Sequence, residues 1–220
     1  MGTRTYGGQT AERRREQRRI ELLDAALEII GERGFPALTV AGLCARAGLN
    51  ERYYYESFKD REAVLAAVAG RVTDEVVAAM GAAASAVAPP RTPRAIAGAA
   101  LRAAVELVTD DPRKARVLFL EAPLSPELAG RRRETVRPFV RLMLEQTDAG
   151  RELGTERAEF LGTFLVGGVA ETVTAWLRAD RPTPRDALIE QLTDLFTLVA
   201  DGARRDSAAA ALPRRERAGA

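Results

Sequence analysis

The 220-residue sequence contains no histidine and a single cysteine, Cys44. That removes most of the side chains that do nucleophilic or metal chemistry near neutral pH. A Ser-His-Asp relay and the usual histidine-containing zinc sets have no members to draw on. One cysteine allows no intrachain disulfide, and Cys44 reads as a packed apolar residue, since a buried thiol is unreactive. Carboxylates are plentiful, but no pair stands at a spacing distinctive of a catalytic acid and base. The expectation is therefore a protein that is not an enzyme and uses no cofactor and no metal. A small helical enzyme built on carboxylates, tyrosines and Cys44 is the remote alternative. Arginine is the residue left to do chemistry. Arg4, Arg13, Arg14, Arg15, Arg18 and Arg19 are opposed only by Glu12 and Glu16, a grouping that can follow a phosphate backbone. A solvated, frayed helix start explains the same composition equally well.

The elements that position these residues read as helices throughout. Hydrophobic residues make up 46% and charged residues 29% of the chain, and the net charge is only +2. This suits a globular protein of a small plus a larger domain and excludes a whole-molecule basic field. No apolar run approaches the roughly 20 residues of a membrane span. No apolar core follows the arginines, so we expect no secretory signal, and a cytoplasmic location. Residues 1–9 show no periodicity and read as a disordered arm. Ile20, Leu23, Leu27 and Ile30 recur at helical spacing, closed by Gly31 and Gly34 with Pro36 beyond. Thr39 is a candidate N-cap for a short helix through Leu43 and Cys44, and Asn50 for another from Glu51 to Phe58. Asp60 caps a long fourth helix carrying Leu65, Val68, Val72, Val76 and Met80.

Beyond the Pro89–Pro90 loop, further helices are expected. One starts at Pro93. A short one opens at Pro112. One begins after Ser125 and runs to about Gln146, with a kink at Pro138. An apolar one covers Phe160–Leu177, and a last one opens at Pro184 and fades after Gly202. No convincing strand appears.

The two short helices meet at Ala47-Gly48-Leu49, where glycine allows a positive φ. Leu43, Cys44, Leu49 and Phe58 are placed to pack them together. This is the pattern of a helix-turn-helix, whose second helix enters the DNA major groove. The stretch TVAGLCARAGLNERYYYESFKDREAVLAAV resembles the DNA-binding domain of the TetR family of bacterial regulators. The matching features are Thr39-Val40, Leu43-Cys44, Ala47-Gly48-Leu49, Asn50, Tyr55, Phe58 and Arg61, with Gly34-Phe35 before them. The resemblance covers about residues 13–70. It departs at Arg52-Tyr53, where the family commonly has Gly-Thr, and this leaves the operator sequence open.

The resemblance implies an all-α fold: a helix-turn-helix DNA-binding domain at 1–59, a helical ligand-binding and dimerisation domain at 60–204, and a disordered tail at 205–220. It implies a ligand-responsive DNA-binding regulator, a repressor released by a small hydrophobic molecule, with an activator of the same fold as the alternative. By matching position, Thr39, Tyr55 and Arg61 would contact phosphates. Asn50, Arg52 and Tyr53 would face base edges or nearby phosphates, and Arg52 can donate two hydrogen bonds to guanine. Tyr54 matches an apolar packing position. Tyr55 has a plain alternative as a core aromatic with a wet hydroxyl, and Arg52 as a solvated surface residue.

The expected partners are a palindromic operator, a second copy joined through the last two long helices, and a small-molecule effector, with no membrane. Gly162, Gly167 and Gly168 would permit close approach of a partner helix, or close packing within one subunit. Phe119, Phe139, Met143, Phe164 and Trp176 are candidate walls of a ligand pocket, and Glu121, Thr163 and Thr172 are candidate polar contacts. Simple core packing accounts for each of them too.

Overall fold

A computed structural model describes residues 11–126, 128, 137–142, 154–179 and 183–211. Among these residues the regular structure is helical, with no strand. The disordered arm expected at residues 1–9, with Arg4, lies outside them. The chain divides into two compact units, Met1–Glu75 with Val108–Arg132, and Val76–Leu107 with Arg133–Ala220.

In the first unit, α1 (Ala11–Arg33) is followed by a 3₁₀ turn (Phe35–Ala37), α2 (Val40–Ala47), α3 (Glu51–Ser57) and the start of α4 (Arg61–Ser85). The apolar stripe of α1 differs from the expected one. Ile20 is left 39% exposed, whereas Leu22 and Ile29 are fully buried beside Leu23, Leu27 and Ile30. The reason is that α1 is packed by α2 and α3 and also by α6 (Pro112–Ala115). A helix covered from more than one side buries more than one stripe.

Nor does Gly31 end α1, which continues to Arg33. A Cβ at Gly31 would lie 2.4 Å from Arg113 Cβ and 2.9 Å from Arg113 Cα. Glycine is there because the backbone of α6 comes that close. The stop is Gly34, with φ +84 and its N–H donating to Ile30 O.

Asp111 caps α6 by accepting from Arg113 N at 3.2 Å. The Arg113 guanidinium, hydrogen-bonded to Asp111, holds that carboxyl below the usual carboxylate range. The helix then widens to a π turn, Arg116–Glu121, and closes in a 3₁₀ turn, Ala122–Leu124. Arg116 Nε donates to Glu121 Oε1 at 3.0 Å and Nη1 to Glu32 O at 3.3 Å, which ties the π turn to the end of α1. Ser125 Oγ accepts from Leu128 N and donates to Glu62 Oε2 at 2.6 Å, so the expected cap is in place. Residues 137–142 are helical and include Pro138. The remainder of that helix, its kink and Met143 fall outside the described residues.

The second unit contains the rest of α4, most of α5 (Pro93–Asp110), α7 (Thr155–Arg178) and α8 (Arg185–Ala211). Arg94 pairs with Asp194 and Arg102 with Asp186. As the numbers rise on one helix they fall on the other, so α5 and α8 run antiparallel. Gly98 sits between these pairs, where a Cβ would lie 3.3 Å from Thr193 Cγ2. The helices bury Ala97, Leu101 and Val105 with Leu188, Ile189 and Leu192.

Two expectations are corrected here. Helix α8 does not fade at Gly202 but runs to Ala211. One glycine costs about 1 kcal/mol against alanine, which the alanines after it offset. Also, α7 is long and apolar enough to cross a membrane by length and composition, with a mean hydropathy of 1.4 over residues 156–178. Glu171, glycines and threonines interrupt the run, which is why no uninterrupted apolar stretch is visible. A core or interface helix has the same composition, and one such helix is weak evidence for a membrane span.

Candidate nucleic-acid interface

Each short helix begins on the expected cap. Thr39 Oγ1 accepts from Gly42 N at 3.0 Å, and Asn50 Oδ1 from Tyr53 N at 3.4 Å. Capping uses the side-chain oxygen as acceptor. The Thr39 hydroxyl hydrogen and the Asn50 amide hydrogens are left as donors, the polarity a phosphate or base acceptor requires. Helix α2 ends on Gly48 at φ +67, with Leu49 N donating to Cys44 O and Gly48 N to Ala45 O. This is a Schellman closure. It turns the chain directly into α3.

The three tyrosines of α3 have three different fates. Tyr54 is 1% exposed and packs against Phe58 at 6.0 Å between ring centroids. Burial pushes its phenol pKa up. Tyr55 is 63% exposed, standing edge-on to Tyr54 at 5.0 Å. Tyr53 is half-buried beneath the Arg18 guanidinium, 4.1 Å from its ring centroid. Arg52 stands out from the surface, its side chain 82% exposed. Cys44 is buried, and desolvation followed by the charge of Glu51 raises its thiol pKa. The thiolate is thereby disfavoured, as expected for a packing residue.

The arginines of α1 are not a loose arm. Arg15 donates to Glu56 O, Arg19 Nη1 to Ser57 O at 3.2 Å, and Arg18 pairs with Glu56 Oε2 at 3.7 Å. The first two satisfy carbonyls at the C-terminal end of α3, which a seven-residue helix leaves without intrahelical partners. Arg19 also lies over the Phe58 ring. Arg61, expected at a phosphate, spends one amino group on Leu38 O at 2.8 Å and lies over Phe35. It thus fastens the start of α4 beside the Thr39 cap. Glu56, which gathers Arg15, Arg18 and Arg52, is the residue that sequence reasoning missed. Its one legible signal was its position four residues after Arg52.

Of the twelve singled-out residues, the structure brings together the six on the helix-turn-helix: Thr39, Asn50, Arg52, Tyr53, Tyr55 and Arg61. The described pocket candidates are divided between the two units. Phe119 and Glu121 lie on the π turn of the first unit, Glu121 paired with Arg116. Phe139, Phe164 and Trp176 belong to the second unit. Phe139 is half-buried and Phe164 is 63% exposed. Trp176 Nε1 donates to Thr183 O at 2.7 Å. Thr163 and Thr172 each donate to the carbonyl four residues back in α7.

Two short helices locked at a left-handed glycine, with capped starts and an exposed arginine and tyrosine on the second, define a helix-turn-helix transcriptional regulator. Residues 22–68 match the family model for bacterial regulatory proteins of the tetR family. That match spans α1 to the start of α4, and the chain is similar to that family over its helix-turn-helix segment. It is 26% identical over 177 residues, 80% of each chain, to the HTH-type transcriptional activator FasR of Mycolicibacterium smegmatis. Its fold is similar to that of the regulator FadR from Bacillus subtilis in complex with stearoyl-CoA (TM-score 0.67, 21% identity, 81% of this chain and 97% of that one). It is also similar to the transcriptional regulator SCO7518 of Streptomyces coelicolor A3(2) (TM-score 0.60, 26% identity, 82% and 99%).

Proposed function

We propose that the chain is a homodimeric repressor that occupies a palindromic operator and leaves it when an amphipathic molecule with a long acyl chain binds. The observation that carries the DNA-binding half is the α2–Gly48–α3 turn, which buries Tyr54 and leaves Arg52 and Tyr55 outside. Thr39, Tyr55 and the remaining donors of Arg61 contact phosphates, while Asn50, Arg52 and Tyr53 face base edges in the major groove. Such contacts give affinity through phosphates and specificity through bases. No step of this scheme is catalytic, and its place of action is the cytoplasm.

A palindrome needs two heads about one DNA turn apart, roughly 34–36 Å. Exposed Phe160 and Phe164 on α7 and Leu195 and Leu198 on α8 support a dimer through these helices. So do Gly167 and Gly168, where an added Cβ would meet nothing within 4 Å. Phe164 fits that interface better than a pocket wall. Phe139, Met143 and Trp176 are assigned to the effector wall. Phe119 and Glu121 are assigned to the π turn that would pass a change on to α1.

The FadR complex supports an acyl-CoA as effector. Release requires that the effector prefer the state in which the two recognition helices are wrongly spaced. The relative named as an activator favours a second reading, in which the same effector promotes binding. A gel shift on the DNA upstream of the gene, with and without stearoyl-CoA, separates these. Release supports repression, and tighter binding supports activation. A duplex bound equally with and without the ligand rejects this effector class.

A further inference from the structure

Glu56 is placed where a carboxylate does little for its own helix. It sits one residue from the end of α3 (Glu51–Ser57), where the helix dipole disfavours negative charge. Its i,i+4 pair with Arg52 has the arginine first, the less favourable order. Yet Glu56 Oε1 accepts from Arg52 Nε at 3.1 Å, and Oε2 faces Arg18 Nη2 at 3.7 Å. The Arg52 bond engages only the inner nitrogen of the guanidinium. Its two terminal amino groups have no acceptor among the described residues, and the side chain is 82% exposed. A guanidinium held at Nε presents its terminal pair of N–H groups end-on, the arrangement that can meet the O6 and N7 acceptors of guanine together.

We propose that Glu56 is a positioning residue for base reading. It fixes the Arg52 side chain so that the terminal amino groups face one guanine, while Arg18, stacked on Tyr53, holds the other carboxylate oxygen. This rests on the reading of α3 as the helix in the major groove. A long arginine otherwise samples many rotamers and gives up that freedom on binding. Glu56 also sets a cost on wrong sequences. With Arg52 tethered, the guanidinium cannot swing freely to a phosphate, and the carboxylate repels the backbone.

The test uses the full chain and an operator selected with it from random duplexes. Affinities are measured for every single-base-pair variant of that operator and for a random duplex. Arg52→Ala identifies the base pair that Arg52 reads, with a preference expected to fall from roughly tenfold or more to near none. Glu56→Ala is expected to lose preference at that same base pair alone, with random-duplex binding kept or strengthened. Glu56→Gln keeps an acceptor for Nε and is expected to restore part of the preference. It also serves if the alanine variant fails to fold. Arg18→Ala removes the second hold on Glu56 but leaves the Arg52–Glu56 bond, and is expected to lower the preference less than Glu56→Ala does.

A wild type that selects no sequence overturns the reading of α3 itself. A selective wild type whose Glu56→Ala keeps every preference overturns only the role of Glu56, as does an equal loss on all sequences. A loss of preference in Arg18→Ala matching that of Glu56→Ala overturns it as well, since the clamp on α1 would then be what positions the helix.

Discussion

The helix-turn-helix and the α7–α8 pair treat their large apolar side chains in opposite ways. In the first, α3 and the residue after it place Tyr54 and Phe58 at 1% and 4% exposure, with α3 closed in by α1 and α2. In the second, α7 and α8 leave Phe160 at 71%, Phe164 at 63%, Leu195 at 57% and Leu198 at 65%. Their buried side is filled by Leu165, Val173, Leu188 and Leu192. The helix-turn-helix is thus complete within one chain, and what it exposes is polar or amphipathic: Arg52, Tyr55, Thr39 and Asn50. The pair α7 and α8 is complete on one face only. Single exposed apolar residues are ordinary, but four on two long helices are what a partner would cover. The lesson is that the helix-turn-helix is specified by its own core, whereas the proposed spacing of two such heads would depend on a surface that one chain leaves open.

This contrast can be broken or sharpened in five ways. The largest effect is expected from Tyr54→Ala, which empties the centre of the first unit and should cost about 3–5 kcal/mol in urea unfolding. A loss below 1 kcal/mol would mean that α3 is not held by this core. Next comes the double change Phe160→Ser, Phe164→Ser. Each phenylalanine buried at an interface contributes roughly 1.5–3 kcal/mol. With the proposed dimer, sedimentation equilibrium should therefore show the wild type as dimers and the variant as monomers, with the far-UV helical signal kept. A dimer of unchanged affinity would place the interface elsewhere.

Gly31→Ala should cost about 1–3 kcal/mol through overpacking against the Arg113 backbone, read as a lowered melting temperature. Gly167→Ala, with open space around it, should leave the monomer's stability unchanged or higher and act on the dimer alone. A smaller effect is expected from the loss of a cap. Asn50→Ala should cost about 1 kcal/mol and Asn50→Asp much less, compared by denaturant midpoint at constant slope. Tyr54→Phe should be close to neutral, since the buried hydroxyl has no hydrogen-bond partner among the described residues.

Much of the first unit was legible because local chemistry decides it. Thr39, Asn50, Asp60 and Ser125 cap helices with their own side chains, and Gly48 takes the positive φ that the turn demands. Those signals act over three or four residues and are written in consecutive letters. The candidate site was legible to the same extent: the caps, the buried Tyr54 and the exposed Arg52 and Tyr55 follow from register on a short helix. The errors came where distant segments meet. Gly31 resembled a helix stop because nothing local reveals that Arg113 will lie against it. The arginines of α1 resembled a free arm because their acceptors, Glu56 O and Ser57 O, are 41 and 38 residues away.

The sequence by itself determined the helical class, the helix-turn-helix and the resemblance of that segment to a family, because capping, helical periodicity and a left-handed glycine are properties of short stretches. Tertiary structure alone decided which face of α1 is buried, where Arg61 spends its first hydrogen bond, and that Glu56 holds Arg52 and Arg18 together. Those outcomes depend on side chains brought within a few ångströms by packing. Hydrophobic burial drives that packing without regard to separation along the chain, so no local pattern announces it.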